Sequence, residues 1–155
     1  MSPNIPPRKK IKIQIKQIDE LIDEYEELIN AGQTEKPNKV EIAALASVLH
    51  SFYNGLENIF KIIAREIDGI EFEGEKWHRE LLEHMNVGTP NRKAIITDDI
   101  IEITEDYMSF RHFYRHSYSY LLEWNKMDAL VKSLQEVWTQ IKNNLGNLIE
   151  EIERS

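Results

Sequence analysis

The chain of 155 residues contains no cysteine. This absence excludes disulfides, thiolate zinc sites and cysteine nucleophiles, and it is typical of a protein of the reducing cytoplasm. No apolar run approaches the roughly 18 residues that a membrane-spanning helix needs. The N-terminal stretch MSPNIPPRKK has too short an apolar segment for a signal peptide. We therefore expect a cytoplasmic protein without a membrane partner, with residues 1–10 flexible and residues 11–155 forming one domain.

Basic residues are outnumbered, with 19 lysines and arginines against 27 aspartates and glutamates, so the net charge is -8. A chain of this charge repels nucleic acid and anionic membranes as a whole. Any role with RNA or DNA must therefore depend on a local basic patch. The best candidate is SFRHFYRHSY, residues 109–118, which concentrates two arginines and two histidines.

Glycine and proline are also scarce, at 6 and 5 residues, and mostly separate segments whose apolar residues recur at helical spacing. We predict an all-α bundle of four long helices and one short helix. Within it, Gly55 stands in mid-helix, where it costs about 1 kcal/mol relative to alanine, so we expect close packing there. Thr97, Asp98 and Asp99 resemble an N-cap. The predicted helical segments are residues 11–31, about 40–67, 76–85, 98 to about 123, and 127–152.

The imidazoles of the basic stretch raise the question of a metal. His112 and His116 stand at i and i+4 and could face the same way, but no glutamate follows His112 as in HExxH, and no third ligand is evident. We therefore expect no metal site. On an ideal helix, Arg111 lies on the flank of an apolar stripe formed by Ile103, Tyr107, Phe110, Tyr114 and Leu121. His116 lies about 140° from Arg111, so one regular helix does not bring the two together. Three arrangements could still bring Arg111 and His116 to one site: the helix bends, the long arginine side chain reaches round it, or two copies of the motif meet across a dimer.

The wider pattern is more specific than the short motif, which by itself is typical of a solvated helix face. The string RHFYRHSY, residues 111–118, fits R-x4-H-x-Y, and it follows the blocks FYNGLENIFKIIAREIDG (52–69) and EKWHRELLEHM (75–85). Over about residues 40–150 this order resembles the HEPN superfamily, and more narrowly the HepT-like ribonuclease toxins. The resemblance implies a HEPN-type helical bundle and a metal-independent endoribonuclease without a cofactor. It also implies a homodimer whose two motifs line a shared cleft.

The same resemblance implies roles for the motif residues. Arg111 and His116 would be catalytic, because a guanidinium fork suits phosphate oxygens and an imidazole transfers protons near neutral pH. Tyr118 would orient the substrate and accept AMP from a small nucleotidyltransferase antitoxin of the MNT type. His112 and Arg115 would contact the backbone of the RNA, a transfer or messenger RNA. Many HEPN proteins carry a residue such as asparagine after the motif arginine, so the role of His112 stays open.

Other interpretations remain beside this one. The chain could instead be a non-catalytic HEPN partner or antitoxin subunit that binds a nucleotide or a nucleotidyltransferase, since one fold serves several functions. A third interpretation is a helical bundle without chemistry. Asn54 and Glu57 either approach the cleft or belong to the helix surface or a buried hydrogen bond, and we do not assign them to the site.

Overall fold

The computed structural model describes residues 5–154, which form six α-helices and no β-strand. The predicted bundle of four long helices and one short helix is confirmed, and a six-residue helix, α2, is added to it. Within residues 5–154, no helix is both long and apolar enough to cross a membrane. The helices are α1 (Pro7–Glu24), α2 (Glu26–Ala31), α3 (Lys39–Ile62), α4 (Trp77–Met85), α5 (Ile101–Arg115) and α6 (Asp128–Arg154). A π-helical turn, Ile63–Ile67, extends α3, and two 3-10 turns, Ser119–Leu121 and Trp124–Lys126, connect α5 to α6.

Helix α3 is the central helix, and α1, α4, α5 and α6 all pack against it. It begins with a capping box, in which the Asn38 side chain accepts from the Glu41 backbone and the Glu41 side chain accepts from the Asn38 backbone, both at 2.9 Å. Gly55 lies where α1 crosses α3, and a Cβ there would stand 2.8 Å from Ile18 Cγ1. The predicted close packing at Gly55 is confirmed, because only glycine lets the two helices approach this far.

Helix α1 begins earlier than the boundary expected at residue 11. Pro7 occupies its first turn, where the missing N–H is no loss, and Ile11 is fully buried. Ile11, Ile13 and Ile15 thus belong to a helix, in agreement with the helical segment predicted from residue 11. Residues 1–4 of the expected flexible lead-in lie outside the described residues.

Helix α5 is shorter than the predicted segment at both ends. Thr97, Asp98 and Asp99 do not cap it, since the helix begins at Ile101 and its N-cap Ile100 has no side-chain hydrogen bond. At the other end the helix stops at Arg115, and Tyr118 is already extended, with φ -84° and ψ 148°. Residues 116–120 are His, Ser and Tyr, all weaker helix formers than alanine or leucine. The 140° separation expected on a continuous helix therefore does not apply to the last part of the motif.

Candidate functional site

Arg111 is buried in the bundle, with 3% of its surface exposed, although the helical wheel predicts it on the flank of α5. Its Nη1 donates to Glu57 Oε1 at 2.8 Å and to Asn54 Oδ1 at 3.0 Å, and its Nη2 donates to Glu57 Oε2 at 3.0 Å. The guanidinium carbon also lies 4.9 Å from the centre of the Tyr53 ring. A bidentate ion pair thus joins α5 to α3 at the first residue of the motif.

The Glu57 carboxylate, which is also buried, is held in its charged form. Burial by itself would raise the pKa of Glu57, but the hydrogen bonds from Arg111 and His78 prevail and lower the pKa below its ordinary value. The neighbouring Tyr53 responds in the opposite direction, since burial first and the Glu57 charge second raise the pKa of its hydroxyl. Within residues 5–154, the Tyr53 hydroxyl and Arg111 Nε are the two buried side-chain polar atoms that lack a hydrogen-bond partner.

His78, at the start of α4, completes this cluster. Its Nδ1 lies 2.7 Å from Glu57 Oε2 and 3.0 Å from Arg111 Nη2. The Trp77 ring is stacked on the imidazole, with 3.6 Å between ring centroids. The His78 side chain is 34% exposed, whereas the side chains of Glu57 and Arg111 are almost fully enclosed. Of these three side chains, His78 is therefore the one that solvent reaches most.

The cluster opens into a groove between α4 and α5 with a volume of about 320 Å³. Arg79 in its wall lies 3.6 Å from Glu105, and Arg111 is paired with Glu57, so two of the cations are partly neutralised. Glu75 is the one carboxylate of the lining. This groove is thus a local basic patch on a chain of net charge -8. The cationic and imidazole side chains of the lining are Lys76, His78, Arg79, Arg111, His112 and Arg115.

The cations of the groove also affect the pKa of His50, which lies on α3. Partial burial first, and then the charges of Arg115 and Arg111, lower the pKa of His50. Its ring packs against Tyr114 with 4.9 Å between centroids. The neutral imidazole is therefore the form that the folded protein favours at this position.

His116 and Tyr118 lie beyond the end of α5 and do not line the groove. His116 is exposed, and its ring lies 4.7 Å from that of His112, which does line the groove. Tyr118 is 72% exposed, and its ring is stacked on Tyr120 at 5.9 Å between centroids. The structure thus brings together Arg111, His112 and Arg115 in the groove and places His116 against His112, whereas Tyr118 contacts Tyr120 outside the groove. No group of three or more His, Asp or Glu side chains within residues 5–154 is arranged to hold a metal.

Three residues around Arg111, namely Asn54, Glu57 and His78, are not assigned to the site by the sequence analysis. Glu57 lies four residues after Tyr53 and three before Phe60, both fully buried, so helical periodicity already indicates a carboxylate on an apolar face that needs a partner. Asn54 and Glu57 both accept hydrogen bonds from Arg111, and of the two only Glu57 is buried. For His78 no comparable signal exists, because its partner is on another helix, 21 residues away.

A second cluster of the same composition lies at the other end of α4. Asp68 accepts from Arg92 Nη2 and from His84 Nε2, both at 2.8 Å. Arg92 also donates to the carbonyls of Val87 and Lys93, at 3.0 and 3.1 Å. None of these residues lines the groove. This cluster fixes the loop after α4. Like the cluster around Glu57, it consists of a carboxylate bound by an arginine and a histidine, but it lies outside the groove.

Comparisons with known proteins point to one family. The family model described as HepT-like protein matches residues 44–152, from the first turns of α3 to the end of α6. No curated protein and no solved structure matches the chain. The matched region contains every residue of the groove and of the cluster around Glu57.

Proposed function

This chain belongs to the family of HepT-like proteins, and we propose that it is a metal-independent endoribonuclease, the toxin of a toxin–antitoxin pair. The family suggests a HEPN toxin or a ribonuclease type of function. The observation that carries the proposal is the basic groove, because a polyanion needs such a surface on a chain that otherwise repels it. Lys76, Arg79, His112 and Arg115 would bind the phosphates of the RNA, and the motif residues would cleave it.

The reaction would use the 2′-hydroxyl of the RNA as its nucleophile. A bond forms between this oxygen and the adjacent phosphorus, and the bond from phosphorus to the 5′-oxygen breaks. His116 would take part in the proton transfers. Arg111 would stabilise the charge of the phosphorane from the groove wall, through its positive charge and the Nη2–H that does not bind Glu57. The products would be a 2′,3′-cyclic phosphate and a 5′-hydroxyl.

We further propose a homodimer in which two motifs face a shared cleft. Its support is the exposed aromatic and aliphatic surface around the motif, formed by Phe113, Tyr118, Tyr120 and Leu121. Exposed apolar patches often mark protein interfaces. Light scattering in solution tests this point, since a mass of one 18.3 kDa chain would contradict it.

The antitoxin in this proposal is an MNT-type nucleotidyltransferase that attaches AMP to Tyr118. The exposure of Tyr118 supports this role, because the acceptor hydroxyl must enter the active site of another protein. AMP there would place a bulky anion near Arg115 and His112, where it would repel RNA and occupy space.

Ribonuclease assays test the central claim. Purified wild-type protein, incubated with total RNA in the presence of EDTA, should cleave it, and His116→Ala should lose about 10²- to 10⁴-fold of the rate. Ser119→Ala is the matched control, since Ser119 is exposed on the same connection outside the motif. Equal cleavage by wild type and His116→Ala would reject the site.

The second candidate is the non-catalytic partner or antitoxin subunit. The burial of Arg111 favours it, because most of the guanidinium hydrogen bonds go to Glu57 and Asn54 rather than to an open surface. Expression of the chain alone in a bacterium separates the two candidates. Growth arrest that depends on His116 supports the nuclease, and rescue of a toxic nucleotidyltransferase neighbour supports the partner subunit.

A further inference from the structure

We propose that His78 is a second catalytic imidazole of the groove, the general base that accepts the proton of the RNA 2′-hydroxyl, and that Glu57 is its positioning residue. This inference rests on the ribonuclease function proposed above. It adds a residue from α4 to a site otherwise formed by α5 and the connection that follows it.

The first argument is the geometry around Glu57. Its Oε2 lies 2.7 Å from His78 Nδ1 and 3.0 Å from Arg111 Nη2, and those two nitrogens are 3.0 Å apart. A guanidinium only donates and a carboxylate only accepts. If Nδ1 carried a lone pair, that lone pair would face an anionic oxygen at 2.7 Å. Nδ1 therefore carries a proton, and Oε2 accepts from both nitrogens.

The second argument follows from that proton. In the neutral imidazole a protonated Nδ1 leaves the lone pair on Nε2. Within residues 5–154, no hydrogen bond engages Nε2. A carboxylate that holds Nδ1–H fixes both the tautomer and the orientation of the ring, as the aspartate of a Ser-His-Asp triad does. The cluster thus presents an oriented base rather than a freely rotating surface histidine.

The third argument is location. His78 lines the same groove as Arg111, His112 and Arg115, and its side chain is the most exposed of the Glu57 cluster. The stacked Trp77 ring restricts the imidazole on one face. A phosphodiester drawn in by the surrounding cations would therefore meet this base beside the guanidinium that stabilises its transition state.

The protons balance with two imidazoles. The 2′-hydroxyl proton passes to His78 Nε2 as the bond from the 2′-oxygen to phosphorus forms. The bond from phosphorus to the 5′-oxygen then breaks, and protonated His116 gives its proton to that oxygen. Exchange with solvent restores both imidazoles. His116 is connected to the groove through His112, whose ring it contacts at 4.7 Å between centroids.

The test replaces the base and keeps the hydrogen bond. In His78→Asn, the side-chain amide can stand where Nδ1 stood and donate to Glu57, while Nε2 is lost. We expect cleavage to fall about 10²-fold or more, with the melting temperature close to that of wild type. His84→Gln is the control, because His84 lies outside the groove and the glutamine amide can stand where Nε2 stood and keep the bond to Asp68, so cleavage should stay unchanged.

A modified substrate distinguishes base from acid. When sulfur replaces the bridging 5′-oxygen, the leaving group no longer needs a proton. His116→Ala should regain activity on this RNA, and His78→Asn should not. Rescue of His78→Asn would make His78 the acid and overturn the assignment.

The outcomes separate the two proposals. One outcome is that wild type and His78→Asn cleave RNA while His116→Ala does not. His78 is then not catalytic, and the proposed ribonuclease function stands. If wild type cleaves nothing, the proposed function itself fails. Nitrogen-15 NMR of the His78 ring tests the tautomer in the wild-type protein, so it does not depend on whether a variant folds. It should show protonated Nδ1 and unprotonated Nε2 in the neutral ring, and the opposite tautomer would overturn the inference.

Discussion

Glu57 and Arg111 join α3 to α5 by two parallel hydrogen bonds, Oε1 to Nη1 at 2.8 Å and Oε2 to Nη2 at 3.0 Å. Both side chains are almost entirely buried. Each charge therefore depends on the other, because neither has bulk water to solvate it if its partner is removed. Arg111 is thus part of the packing of the bundle as well as of the motif.

Removal of Arg111 alone should destabilise the fold. Arg111→Ala leaves the Glu57 carboxylate buried without its main partner, and such a loss costs about 3–5 kcal/mol. The double variant Glu57→Gln with Arg111→Met should cost less than Arg111→Ala, since no buried charge is left unpaired. Urea unfolding measures both. Arg115→Ala, on the exposed side of the same helix, should stay within about 0.5 kcal/mol of wild type, and an Arg111→Ala effect no larger than this would contradict the prediction.

Stability should decline with acid, and Glu57 should contribute to the decline. The folded protein lowers the pKa of Glu57 from 4.5, so the unfolded chain takes up a proton first as the pH falls. The stabilisation is therefore complete above about pH 4.5 and is lost progressively below it. His50 adds to the decline from a higher pH, since its pKa is lowered from 6.5 and the unfolded chain again binds the proton more readily.

The urea midpoint, followed from about pH 7 to pH 3, measures this dependence. Glu57→Gln should flatten the part of the curve below about pH 4.5, because the variant has no carboxyl to protonate. Glu35→Gln, which changes an exposed carboxylate in the loop after α2, should leave that part of the curve unchanged. If both variants follow the wild-type curve, Glu57 is not the group responsible.

Gly55 should not tolerate alanine, whereas Gly146 should. A Cβ at Gly55 would stand 2.8 Å from Ile18 Cγ1 and 2.9 Å from Cδ1 of the same side chain, and Ile18 is itself buried. We expect the overpacking, typically 1–3 kcal/mol, to outweigh the gain of about 1 kcal/mol in helix propensity. At Gly146, in α6, nothing lies within 4 Å of the added Cβ, so alanine should stabilise by about 0.5–1 kcal/mol. Thermal unfolding of the two variants gives the signs, and stabilisation by both would contradict the packing.

Modification by the proposed nucleotidyltransferase antitoxin should depend on Tyr118 and not on Tyr120. The two rings are stacked and similarly exposed, at 72% and 74%, so they form a closely matched pair. Incubation with the transferase and ATP should add AMP to wild type and to Tyr120→Phe, but not to Tyr118→Phe, as mass spectrometry would show. Labelling that persists in Tyr118→Phe would assign the acceptor elsewhere.

Local sequence patterns predict the helices, but they do not predict the contacts between residues that are far apart in the sequence. Gly55 was interpretable because an isolated glycine in a helix has few causes other than close packing. The apolar spacing continues to Leu121 and predicts a helix up to about residue 123, but that side chain is exposed in the structure, beyond the last residue of α5. A helical wheel places Arg111 on the flank of α5, because the wheel describes one helix and contains no information about a carboxylate 54 residues away.

Helix α4 has only nine residues, and each of its two histidines binds a carboxylate of the segment from α3 to its π-helical extension and cap. His78 reaches Glu57 near one end, and His84 reaches Asp68 near the other. The angle of the whole helix, and with it the wall of the groove that α4 supplies, is therefore set by two distant anchors. Damage at Asp68 would tilt that wall and misalign the imidazole at the opposite end without altering any residue of the proposed RNA-binding groove.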